Sequence, residues 1–269
     1  MEVHDIESFL HSNKTDLNRI FQGDCREILK KLPDNFFDLL VTDPPYFIMN
    51  KQDLPMKTRA PIVQNASFDH FDSYESFIEF TRSWIKSLVP KMKEDATMYI
   101  FFAGQYITDL LRICEEFGFE YVTMMVWYKT NPVPKIRKTK YLSATEFLLH
   151  VSRGKPTFNF LGQRKMHNVL RASICCGKER LQKDGQLNSL HPAQKPESII
   201  EKLIKVSSNK DQWVCDPFAG TGTVNAVCKK MRRQCIGIEK DKEYFERATK
   251  RLLETRKTEQ KTTLTNYIS

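Results

Sequence analysis

One stretch restricts this chain more than any other: Trp213-Val-Cys-Asp-Pro-Phe-Ala-Gly-Thr-Gly-Thr223, then a helical run, then Cys235-Ile-Gly-Ile-Glu239. It reads as strand, glycine loop, helix, strand and acid, which is half of a mononucleotide-binding fold. Gly220 and Gly222 let a ligand come close to the backbone. The helix N-terminus that follows can receive a carboxylate. Glu239, 17 residues beyond Gly222, can accept both hydroxyls of a ribose. The loop lacks the Lys of a phosphate-binding GxxxxGK[ST] loop and the third glycine of GxGxxG, which disfavours nucleoside triphosphates and dinucleotides. A plain tight βα turn is the competing reading.

The rest of the chain repeats this alternation. Strands are predicted near Arg19–Gln22, Phe37–Val41, Thr97–Phe102, Tyr121–Trp127, Glu146–Val151, Trp213–Cys215 and Cys235–Ile238. Helices are predicted at Cys25–Leu32, Tyr74–Val89, Ile107–Phe117, Pro196–Ser207, Val224–Met231 and Lys242–Glu254. Short β-rich runs interleaved with helical ones give an α/β class with a largely parallel sheet covered by helices. With 269 residues, 41% of them hydrophobic, the chain can bury a substantial core. The stretch MEVHDIESFLHSNK has no signal-type apolar core, and the longest uncharged run, Ala96 to Thr108, is too short to span a membrane. Seven cysteines without a CxxC pair read as reduced, mostly buried thiols of a soluble, internal protein, with no metal expected.

A second constellation, Asp43-Pro44-Pro45-Tyr46, directly follows the apolar run Phe36–Val41. Such a strand end sets a rigid turn at the carboxyl edge of a sheet, where open α/β sheets bind ligands. Pro44 and Pro45 fix φ and remove donors, so nearby carbonyls face outward as acceptors. Asp43 adds a carboxylate acceptor, and Tyr46 adds a flat face for a planar base. An exocyclic amine is a poor nucleophile because its lone pair is delocalised into the ring. Two acceptors on its N–H groups favour a more tetrahedral nitrogen with its lone pair aimed at an electrophile. An ordinary strand-terminating turn is the alternative.

Charge is distributed unevenly. The chain carries +9 in all, yet Lys129–Lys183 alone holds 13 Lys and Arg against the two acids Glu146 and Glu179. This segment, with Tyr141, Phe158 and Phe160 among its cations, is the candidate for groove and phosphate contacts to a polyanion. A solvated charged surface is the alternative.

In order, Gly23-Asp24-Cys25, the turn 43–46, the basic segment, His191-Pro-Ala-Gln-Lys-Pro196, Asp216–Thr223 and Glu239 resemble the β-class of amino-group DNA methyltransferases over residues 20 to 253. The resemblance implies a Rossmann-like, seven-stranded, mostly parallel sheet with one antiparallel strand. It implies S-adenosylmethionine as cofactor, cradled by Asp216, Phe218, Ala219, Gly220, Thr221, Gly222 and Thr223, with Glu239 on its ribose and Lys240 beside it. Asp24 and Cys25 would lie against the adenine, and His191 and Lys195 would flank the methionine end. Asp43 would belong to both the cofactor site and the catalytic set Asp43, Pro44, Pro45 and Tyr46. Asp24 as a helix cap and His191 as a structural residue stay open.

On this reading residues 1–150 form the catalytic half, 151–190 a target-recognition insertion, 191–256 the cofactor half and 257–269 a polar tail. Lys135, Arg137, Lys138, Lys140, Arg153, Arg164, Lys165 and Arg171 are the expected DNA contacts. The substrate is a base flipped out of double-stranded DNA, adenine N6 ahead of cytosine N4. An RNA or protein-amide methyltransferase, and a DNA-binding protein with a vestigial cofactor site, are the rivals. The resemblance also brings a homodimer, a cognate restriction endonuclease as partner, and a prokaryotic or phage protein of the cytoplasm. The family's tryptophan-rich stretch after the catalytic turn is only partly matched, by Phe68-Asp-His-Phe-Asp72 and Trp84, so target-base contacts in Phe47–His70 are left unassigned.

Overall fold

The computed structural model describes residues 17–45, 47, 71–134, 139, 141–175 and 194–256. Among them strands and helices alternate as β1 (Arg19–Gln22), α1 (Cys25–Lys30), β2 (Phe37–Thr42), α2 (Tyr74–Leu88), β3 (Met92–Phe102), α3 (Ile107–Glu116), β4 (Glu120–Lys129), β5 (Thr145–Arg153), β6 (Val169–Ala172), α4 (Glu197–Ser207), β7 (Trp213–Asp216), α5 (Thr223–Lys230), β8 (Gln234–Glu239) and α6 (Lys242–Glu254).

All eight strands join one sheet in the order β1-β8-β7-β2-β3-β5-β4-β6. Every neighbouring pair is parallel except the two that β5 makes with β3 and β4. The expected single antiparallel strand is present. The expected strand count is corrected from seven to eight, because Val169–Ala172 pairs alongside Val126–Lys129 as an edge strand. The sheet also runs through position 150, since β5 continues to Arg153.

Central β2 explains the packing of helices on both faces of the sheet. All six of its residues are buried, and side chains alternate across a strand. Leu40 therefore faces a core with Phe77, Trp84, Ile85 and Leu88 of α2 and Leu110 and Ile113 of α3. Leu39 and Val41 face the opposite core, with Ile200 and Leu203 of α4 and Val224 and Val227 of α5. Each such fully buried large side chain contributes about 1.5–3 kcal/mol. A third, smaller cluster of Ile20, Ala219, Ala248 and Leu252 fixes α6 beside β1.

Local chemistry sets the helix starts. Ser73 and Ser76 form a reciprocal capping box before α2, and Asp241 accepts the Tyr244 N–H before α6. Buried Asp38 ties three strands at their starts, accepting from Gln212 Nε2 at 2.9 Å and Trp213 N at 2.9 Å and pairing with Lys93 at 2.8 Å.

The site follows from this topology. The β2-to-β3 connection uses α2 on one face, whereas β7 to β8 uses α5 on the other. Since β2 and β7 are neighbours, their connections diverge between them and leave a crevice at the carboxyl ends of the two strands. Asp43 and Asp216 stand there. Among the described residues no helix is long and apolar enough to cross a membrane.

Candidate active site and cofactor cleft

β2 delivers Thr42 and Asp43 to the crevice, and β7 delivers Asp216. Thr42 Oγ1 donates to Asp216 Oδ1 at 2.8 Å, and the Phe218 N–H donates to the same oxygen at 3.2 Å. Burial lifts the Asp216 pKa to about 7, with the nearby carboxylates Asp43 and Glu239 adding to the rise. Lys195, just before α4, lies between two acids. Its Nζ is 2.5 Å from Asp43 Oδ2 and 3.2 Å from Glu146 Oε2, and 5.0 Å from the centre of the Phe101 ring. Glu146 Oε1 in turn meets Lys129 Nζ at 2.8 Å.

The result is an alternating row: Asp43, Lys195, Glu146, Lys129. Burial opposes the Lys195 ammonium, but Asp43 and Glu146 outweigh it and hold its pKa above the ordinary lysine value. Burial likewise opposes the Glu146 carboxylate, and Lys195 and Lys129 bring its pKa below the usual glutamate value. Each buried charge is compensated by a neighbour, the condition under which such groups are tolerated.

The glycine loop is fixed by backbone bonds. Ala219 N donates to Ile238 O at 2.8 Å, and Gly222 N donates to Ala219 O at 2.7 Å. Glu239 Oε2 accepts the Gly220 N–H at 2.7 Å, and its Oε1 accepts the Asp241 N–H at 2.8 Å. A carboxylate offers about four acceptor sites, so acceptor capacity remains for a hydroxyl. Burial raises the Glu239 pKa. The Gly23 N–H donates to Glu239 O at 2.9 Å, which brings Asp24 to the same edge.

Gly222 adopts φ 71°, and a Cβ there would stand 3.0 Å from Ala248 Cβ. The sequence suggested that ligand approach requires this glycine. The structure gives a different reason: a left-handed backbone and close packing of the loop on α6. Arg251 of α6 holds the loop from behind, donating to Thr221 O at 3.2 Å and Thr223 Oγ1 at 2.9 Å. Phe218 packs edge-on against Trp84, with ring centres 5.4 Å apart. A narrow cavity of about 60 Å³, lined by Thr42, Asp43, Lys195, Asp216, Phe218 and Gly220 among others, joins the loop to the acidic turn.

Not every expected residue serves the site in the expected way. Asp24 caps α1, accepting the Arg26 N–H at 3.0 Å and engaging the Arg26 guanidinium at 2.7 and 2.9 Å, with exposed Lys240 3.9 Å away. Arg26 holds its carboxyl below the usual aspartate range. Cys25 is buried, and burial pushes its thiol up to about 12, which rules it out as a nucleophile at neutral pH.

Arg153, expected on DNA, is turned inward. It donates to Lys93 O at 2.9 Å and Met92 O at 2.5 Å and stacks 4.8 Å over Phe119, clasping the start of β3. Arg164 and Lys165 are exposed on a short turn, Gln163–Lys165, and exposed Arg171 of β6 lies over Tyr128. Tyr46, His191, Lys135, Arg137, Lys138 and Lys140 lie outside the described residues. Sequence reasoning missed Thr42, Glu146 and Lys129. The available signal was Glu146 as one of two acids in a segment of 13 cations.

Residues 37–250 match a family model for DNA methylases of N6/N4 type. Type II methyltransferase M.HinfI of Haemophilus influenzae is 36% identical over 250 residues, covering 88% of this chain and 69% of that protein. Type II methyltransferase M2.LlaDCHI of Lactococcus lactis subsp. cremoris is 27% identical over 237 residues, covering 87% and 88%. Among solved structures, the M1.HpyAVI–SAM complex superposes with a TM-score of 0.63 at 27% identity, covering 87% of this chain and 98% of that one. The PvuII cytosine-N4-specific DNA methyltransferase shares the fold, with a TM-score of 0.66 at 20% identity over 93% and 87% of the two chains.

Proposed function

The chain belongs to the N6/N4 DNA methylase family, and from that premise we propose that it is a site-specific DNA adenine-N6 methyltransferase. The family's cofactor is S-adenosylmethionine, and the residues present fit it. Glu239 keeps acceptor capacity at the end of β8, and the cleft from Gly220 to Asp43 is continuous. When bound, the cofactor supplies an electrophilic sulfonium methyl group.

The chain's own groups do the rest. A stacked base amine cannot reach an enclosed cofactor, so the base is taken out of the duplex. Asp43 accepts one N–H of the target amine, and carbonyls of the Asp43-Pro44-Pro45-Tyr46 turn accept the other. With both N–H groups held, the amine lone pair would be aimed at that methyl group, and the proton released on transfer would leave along the hydrogen bond to Asp43 toward solvent. The protein contributes positioning and fixed dipoles, with Lys195 anchoring the Asp43 carboxylate. Adenine is favoured because position 43 is Asp, the residue that resembles the adenine-modifying branch, and because a purine gains more from stacking on Tyr46. The same reading makes the chain a cytoplasmic, homodimeric partner of a restriction endonuclease.

One observation carries this reading. The acidic turn and the glycine loop, 173 residues apart between Asp43 and Asp216, share one cavity and are linked through Thr42 and Asp216. Asp43→Ala tests it. Transfer of labelled methyl to DNA should fall by roughly 10²–10³ or more, with cofactor affinity by calorimetry within a few fold. Lost cofactor binding with retained turnover would reverse the assignment.

A further inference from the structure

Away from the catalytic crevice, a groove of about 1210 Å³ runs between the segment before β6 and the outer face of α4, closed at one end by the turn that enters β8. Its lining holds nine Lys and Arg and one acid, Glu201. Three of the nine cations are occupied. Lys230 pairs with Glu197, Arg233 is buried and donates to Ser208 O at 2.7 Å, and Arg171 lies over Tyr128. The other six, Arg164, Lys165, Lys202, Lys205, Lys210 and Arg232, have no acidic partner among the described residues. Lys202 reaches only the His167 carbonyl, at 3.5 Å, and burial lowers its pKa. Packing does not explain six cations gathered around one groove. Like charges so close repel one another unless an anion joins them.

From this geometry we infer that the groove carries the phosphate backbone of the DNA flank beyond the methylation site. This rests on the DNA substrate proposed above and extends the contact surface to Lys202, Lys205 and Lys210, outside the basic segment that the sequence marked. The extent of the charge favours a polyanion over a separate small anion, because the cations run from the segment before β6 along α4 to the entries of β7 and β8. The 11 residues of α4 span roughly 16 Å, comparable to about five base-pair steps of duplex axis at ~3.4 Å each. A second copy of the chain that docked through this same groove would set its cations against an identical set.

The test is the triple variant Lys202→Gln, Lys205→Gln and Lys210→Gln, assayed by methyl transfer to duplexes that carry the site mapped in DNA from cells expressing the protein. One duplex has flanks of ~4 base pairs and the other of ~15, across a salt series. On the long duplex the log–log slope of apparent affinity against salt should become shallower by about 2 to 3, at ~0.9 per lost phosphate contact, with kcat unchanged. On the short duplex both proteins should behave alike. An unchanged slope on the long duplex overturns the inference. An equal loss on both duplexes overturns the flank path, because the cations would then act at the target itself. A wild-type protein that methylates no DNA refutes the proposed function instead, and does so independently of either slope.

Discussion

Substituting Gly222 by alanine measures how the cofactor loop is held. The backbone there has φ 71°, and a residue with a Cβ in that region is strained by about 1–2 kcal/mol. The new Cβ would also stand 3.0 Å from Ala248 Cβ and 3.3 Å from Ala248 Cα. Overpacking of this kind costs about 1–3 kcal/mol, so Gly222→Ala should destabilise the protein by roughly 2–5 kcal/mol. At about 2–4 °C per kcal/mol that lowers Tm by about 4–20 °C. Ala248→Gly removes the opposing methyl at a cost of about 1–2 kcal/mol in helix propensity and lost burial. In the double variant the overlap is gone and the backbone strain stays. Urea unfolding of the four proteins should therefore give a favourable coupling of about 1–2 kcal/mol. Additive effects would refute the contact with α6 and return Gly222 to the role of admitting a ligand.

Two further substitutions probe the buried charges. Burial holds the Asp216 carboxyl at a folded pKa of about 7, above its ordinary 3.8. The native state therefore holds the proton over that interval, and the stability this gives is lost as pH rises through it. Asp216→Asn should gain on wild type by about 2–3 kcal/mol between pH 5 and pH 8 in chemical unfolding, whereas a pH-independent difference would contradict the buried, protonated carboxyl. Lys195→Met strands Asp43 and Glu146 and should cost about 3–5 kcal/mol. The double variant with Glu146→Gln should melt several degrees higher than Lys195→Met alone, and no recovery would dissolve the proposed charge row.

The sequence made the layered sheet legible because burial in β2, β7 and β8 writes itself as apolar runs, and because the helices carry apolar stripes. It failed where backbone pairing or distant contacts decide. β6 buries only Leu170 and is held by hydrogen bonds to β4, so no hydrophobic pattern announces it. Early in β3, Lys93, Glu94 and Asp95 are charged, so the apolar run marked the strand only from Thr97 although it begins at Met92. The two constellations at 43–46 and 216–223 were readable as motifs, since each needs a local residue order. The side chains that couple them, Thr42 and Glu146, were not, because their partners lie 174 and 49 residues away. Asp24 shows a third limit: a helix cap and a ligand contact ask for the same residue at the same place, and here Arg26 and the α1 N-terminus occupy it. Arg153 counts as a basic residue in the sequence and as a clasp on β3 in the fold.

The most direct test of the central claim is the identity of the methylated nucleoside. DNA incubated with the protein and methyl-labelled S-adenosylmethionine, digested to nucleosides and analysed by mass spectrometry, should carry the label in N6-methyldeoxyadenosine, and the Asp43→Ala protein should leave it unlabelled. Label in N4-methyldeoxycytidine would contradict adenine as the target. Label in no DNA nucleoside at all would contradict the assignment of Asp43 and the glycine loop to amine methylation.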